Sequence, residues 1–132
     1  MPAHRSSLVR RLLVADAVIS GATGLLMLAG SGILEGLLGV PSSLLRYAGA
    51  SLLPFAAAVA WLARRDELPA GGVWAVIIAN ALWAIDSIVL LFTGWIAPTT
   101  LGYTFVIFQA VVVAAFAELQ YVGLRRVVAI ND

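Results

Sequence analysis

Cysteine is absent from this chain of 132 residues, and its absence excludes disulfides, thiolate metal sites, iron–sulfur clusters and thiol redox chemistry together. Lysine is absent too, so every basic side chain is an arginine. We take that, with the richness in alanine, as the coding bias of a GC-rich, bacterial genome and not as a phosphate site. The one histidine, His4, lies outside every apolar run, and Met27 would be a lone thioether, so haem finds no axial ligands. Charged residues make up only 11% of the chain, against about 25% in soluble proteins. The net charge of +1 and the lack of a basic face argue against a nucleic-acid partner. The sequence has no nucleotide-binding glycine pattern, no serine–histidine pair, no metal-ligand cluster and no paired carboxylates at compatible depth. We therefore expect neither catalytic nor metal-binding residues, and no cofactor.

What the chain does have is apolar length. Hydrophobic residues account for 62%, and four runs, at 8–29, 44–63, 73–95 and 100–122, each approach the ~20 residues that cross a hydrocarbon core. They predict one all-α integral membrane domain, a four-helix bundle running up-down-up-down. Between the first two runs, Ile33, Leu34, Leu37 and Leu38 recur at helical spacing while Glu35, Gly36 and Gly39 face away, which predicts a short amphipathic helix lying in the interface. Pro41 stops it, and Ser42 or Ser43 is placed to cap the next helix. Pro54 falls inside that second span, where it removes a backbone donor.

Arginine sets the expected orientation. With the N-terminus inside, Arg5, Arg10, Arg11, Arg64, Arg65, Arg125 and Arg126 are cytoplasmic and only Arg46 is outside. Trp61, Trp74 and Tyr121 then mark the inner interface and Tyr47, Trp95 and Tyr103 the outer one, while Trp83 falls near mid-membrane. Arginines before an apolar run also suit a signal peptide, but Asp16 interrupts that run, and we expect the first helix to stay as an uncleaved anchor. The expected location is the bacterial inner membrane, with both termini cytoplasmic.

Asp16 is the most informative residue. An aspartate at the centre of a membrane helix costs about 2.5–3.5 kcal/mol on insertion scales, which the surrounding leucines, valines and isoleucine roughly offset. Asp16, Ser20 and Thr23, at i, i+4 and i+7, form one polar stripe that Gly24 continues, so the stripe should face other helices. Counting about 1.5 Å per residue puts Asp16 at about 12 Å depth, Asn80 at about 10–13 Å and Gln109 near the middle of the bilayer. The expected intramembrane polar layer is thus Asp16, Ser20, Asn80 and Gln109, with Trp83 adjacent. It reads as an ion, proton or ligand site or, slightly ahead, as a hydrogen-bonded layer that fixes helix pairing.

Arg46, Asp86 and Glu35 fall on the outer side, where an Arg46–Asp86 or Arg46–Glu35 contact would neutralise one carboxylate. Glu118 falls near the inner interface. Ala17, Gly21 and Gly24 offer a small-residue face suited to helix association. With the alanines of the second helix they exceed what one internal interface needs, and the excess is expected to point outward, toward a membrane-protein partner or a second copy.

The layout is an Arg-led first helix ending in GATGLLMLAG, a short ILEGLLGVP segment and three closely spaced helices. It resembles the small bacterial four-helix membrane proteins grouped as DoxX-like. The similarity covers most of the chain through layout and apolar composition. It implies a four-helix membrane bundle, of a kind sometimes associated with redox or respiratory complexes. On these grounds the expected function is a non-enzymatic accessory, assembly or structural subunit of a larger membrane complex or of a homo-oligomer. The alternatives are a small oligomeric transporter or channel using the polar layer, or a membrane protein that binds an apolar quinone, lipid or pigment.

Overall fold

A computed structural model describes residues 3–131, with side chains described for 7–127. His4 and Arg5 therefore have side chains outside the described residues. The described residues form five helices: α1 (Ala3–Ala29), α2 (Ser31–Leu38), α3 (Ser42–Ala63), α4 (Ala70–Leu90) and α5 (Thr100–Asn131). Four of them, over Ser7–Ala29, Ser42–Ala63, Ala70–Leu90 and Thr100–Val127, are long and apolar enough to cross a membrane. The architecture is the all-helical bundle expected of a multi-pass membrane protein.

Helices α1, α3 and α4 begin a few residues before the expected spans, and the two larger differences, at the ends of α4 and α5, each have a local cause. The third span stops at Leu90, short of Trp95, because the Thr93 hydroxyl turns back to donate to the Leu90 carbonyl (2.8 Å) and accepts the Trp95 N–H (3.2 Å). Gly94 then takes the left-handed conformation (φ 78°) and the helix ends. The fourth span continues past 122 because nothing in Gly123–Val127 breaks it, and Leu124 and Val127 are buried against α1 and α3 residues of the core.

Helix α2 is held in place at its C-terminus by the segment that enters α5. The last carbonyls of a helix have no partner within it. Here Leu38 O accepts the Thr99 N–H (3.0 Å) and Leu37 O accepts the Thr99 hydroxyl (2.7 Å). Gly39 makes the exit possible with φ 69°, and a Cβ there would lie 2.5 Å from Ala97 O. The start of α3 is capped neither by Ser42 nor by Ser43: the carboxylate of Glu35 accepts the Ser42 N–H (3.0 Å). A negative charge at a helix N-terminus is the favourable sign.

At the opposite end, Arg10 performs the equivalent service for α3. Its guanidinium donates to the carbonyls of Ala63, Arg65 (2.7 Å) and Asp66 (3.3 Å), satisfying carbonyls that the helix leaves open. Arg65 lies over the Trp61 ring (5.0 Å) and Arg125 over Tyr121 (5.7 Å), which also meets Trp74 edge-on. Cationic and aromatic groups therefore gather at this terminal end of the bundle, while α2 and the 91–99 turn close the other.

Packing around the bundle is uneven. Helix α1 packs extensively on α3, α4 on α5, and α5 on α1, but α3 and α4 barely touch although they follow one another in the chain. The tightest contact joins α1 to α3 through glycines: a Cβ at Gly49 would come within 2.7 Å of Gly24 O, and one at Gly24 within 3.0 Å of Gly49 O. Gly21 faces Ala56, and Ala17 is buried. The face of Ala17, Gly21 and Gly24 thus serves association within the chain, packed on α3, while Ala57 and Ala58 of α3 are exposed. The cause is steric: the α3 residues opposite, Gly49 and Ala56, are also small, so the two backbones can close on each other.

Candidate functional site

Two polar constellations stand in the bundle at different depths. The deeper one is built around Asp16, only 2% exposed, which accepts at both oxygens. Asn80 Nδ2 and Gln120 Nε2 donate to Oδ2 at 2.7 and 2.9 Å, and the Ser20 hydroxyl donates to Oδ1 at 3.1 Å. Asn80 also donates to Gln120 Oε1 (3.2 Å). Helices α1, α4 and α5 each contribute, and Leu13, Ala17, Ile77, Ala117 and Leu124 of the larger apolar cluster flank the group. Among the described residues no buried side-chain nitrogen or oxygen lacks a partner. This closure is what a polar group in hydrocarbon requires.

Gln120 stands where Gln109 was expected. The two lie about three turns apart on one face of α5, so the face inferred from sequence is the one used, at another depth. Because α5 runs on to Asn131, Gln120 is as far from that end as Asp16 and Asn80 are from Ala3 and Ala70. A span taken to end at 122 leaves Gln120 at the interface. The signal available was the pair Arg125 and Arg126, whose long side chains let a helix continue beyond the hydrocarbon.

Gln109 belongs to the second constellation, one layer toward α2. Its Oε1 accepts the Trp83 indole N–H (2.9 Å), and its Nε2 donates to Val106 O (2.8 Å). Trp83 and Gln109 form part of the floor of a cleft of about 420 Å³. The first half of α3 lines one wall, with Leu44, Leu45, Tyr47 and Ala48; the second half of α4 lines the other, with Asp86, Ser87 and Leu90. Thr23 and Met27 of α1 and Phe105 and Val106 of α5 close the back. The cleft exists because α3 and α4 part toward the α2 end after meeting at their connecting turn, where Gly72 sits against Leu62. Tyr47 and Trp95, at 75% and 81% exposed, stand at its mouth.

The three charges expected on the outer side do not pair. Glu35 caps α3, Arg46 is exposed, and Asp86 is exposed at the cleft. Among the described residues neither Arg46 nor Asp86 makes an ion pair or hydrogen bond. The expected neutralisation of one carboxylate by Arg46 is thus replaced by a backbone contact at Glu35 and by an unpartnered Asp86. Glu118 is exposed on α5. Among the described residues no three His, Asp or Glu side chains converge as metal ligands would.

Comparison with protein families, curated proteins and solved structures finds no match to this chain. The two constellations therefore rest on their own chemistry. The enclosed one joins helices; the open one offers an apolar volume of ligand size with a few polar groups at fixed places.

Proposed function

We propose that this chain is a non-enzymatic membrane protein that admits a small lipid-phase molecule, of the quinone, lipid or pigment kind, sideways from the bilayer into the cleft between α3 and α4. The observation that carries the reading is the cleft itself: about 420 Å³, within the roughly 300–1,000 Å³ of ligand pockets, and lined mainly by apolar and aromatic side chains as such pockets are. The arginine distribution favours an orientation with both termini cytoplasmic, as in a bacterial inner-membrane protein, and in that orientation the cleft would open to the outer half of the bilayer. The accessory-subunit reading rests on short loops, the lack of a catalytic set and small-residue faces, of which the α1 face packs on α3; the cleft gives the ligand reading a more specific support. The DoxX-like resemblance is compatible with a ligand drawn from the membrane.

Quenching of Trp83 tests this. A variant with Trp61, Trp74 and Trp95 changed to Phe, placed in discs of phosphatidylcholine, is titrated with a dodecyl alcohol bearing a terminal bromine. Saturable quenching is expected, and Ala48→Phe, which puts a ring into the cleft from α3, should abolish saturation while leaving helicity unchanged. Quenching that rises linearly and alike in both proteins would show that the probe meets Trp83 only through bulk lipid.

A further inference from the structure

We infer that the cleft selects its ligand by charge, favouring an amphiphile whose polar end is an organic cation of the ammonium type; this rests on the cleft being a ligand site at all. Among the described residues Asp86 is the only charged side chain that lines it. Asp86 is exposed and makes no ion pair or hydrogen bond among the described residues, and Arg46, beside Tyr47, is not part of the lining. A carboxylate within a membrane span is expensive without a partner and marks a functional position by default. The chain supplies no such partner here.

The hydrogen-bonding inventory points the same way. Trp83 donates to Gln109 Oε1, Gln109 to Val106 O, Ser87 to Trp83 O (2.7 Å) and Thr93 to Leu90 O. These four lining side chains already donate within the protein, whereas the Asp86 carboxylate accepts from nothing. An anionic headgroup would find the Thr23 and Tyr47 hydroxyls as donors but would meet a like charge at Asp86. A cationic one would meet a free carboxylate and the rings of Tyr47, Trp83 and Trp95, which line the same cavity and whose π faces attract cations.

The test uses one brominated dodecyl body with three ends, trimethylammonium, hydroxyl and sulfonate, titrated into the Trp83-only protein, in which Trp95→Phe keeps a ring at the mouth, in micelles of an uncharged maltoside detergent that carries no ammonium group. The ammonium member should bind about tenfold more tightly than the alcohol, the combined scale of one exposed ion pair and one cation–π contact, and the sulfonate most weakly. Asp86→Asn should remove the advantage of the ammonium over the alcohol, with the alcohol still saturating, while Asp86→Glu should keep the order. Because Asp86 has no partner in the fold, neither variant should unfold the bundle, and saturation by the alcohol reports that directly. Equal affinity across the three ends, or an order that survives Asp86→Asn, overturns the charge selection and leaves the cleft standing. Failure of the alcohol itself to saturate overturns both.

Discussion

Asp16→Leu should insert at least as well as the natural sequence and yet loosen the bundle. Insertion improves because leucine is favourable and aspartate unfavourable at the centre of a membrane helix. Assembly suffers because Asn80 and Gln120 both donate to the same oxygen of Asp16; within hydrocarbon Gln120 would lose its acceptor and Asn80 would keep only Gln120 Oε1. At about 0.6–2 kcal/mol for each such bond between membrane helices, the loss is about 1–4 kcal/mol. Asp16→Asn should lose far less. Its amide oxygen can take the place of Oδ2 and accept both amides, while its NH₂ faces Ser20 and donates to that hydroxyl. Unfolding in mixed micelles, followed by helicity and tryptophan emission, should order the proteins as natural, Asn, Leu. An Asn variant as unstable as the Leu variant would mean that the carboxylate itself, and not the acceptor at that position, holds the helices.

Gly49→Leu should be the most damaging change on α3. The atoms a side chain would strike, Gly24 O and Leu28 N at 2.7 and 2.9 Å from the built Cβ, are backbone and cannot rotate aside, so α1 and α3 must separate. Overpacking of this kind costs about 1–3 kcal/mol and sometimes more, and here it also opens the contact that carries Ser20 and Asp16. Ala57→Leu, on the exposed side of the same helix, is the matched control and should be silent. Thermal unfolding of the two variants in mild detergent, with particle mass measured alongside, separates the possibilities. The Gly49 variant should unfold earlier even as a single chain. A stable single chain that had merely lost association would assign Gly49 to a contact between chains instead.

The four spans and α2 are legible in the sequence because length and apolar periodicity report directly on water and lipid. The stripe of Asp16 and Ser20 is legible for the same reason, since a helix fixes which residues share a face. Partner depth is less so: it depends on where each helix ends, and α5 runs past the point at which its hydropathy weakens, which exchanges Gln109 for Gln120. The destination of the glycine face is not legible on α1 alone, because an inward and an outward small-residue stripe look alike until Gly49 and Ala56 are known to lie opposite. The cleft is legible least of all. It arises from a missing contact, the parting of α3 from α4 beyond their turn, and no run of residues announces where two helices fail to meet.

The claim that the cleft holds a molecule from the bilayer is tested most directly by mass spectrometry of the chain extracted gently from its native membrane, side by side with Ala48→Phe. The natural chain should carry a small apolar-bodied molecule in a defined ratio, and the variant, folded but with its cleft filled, should arrive bare. A natural chain that arrives bare, or a variant that carries the same molecule in the same ratio, would contradict it.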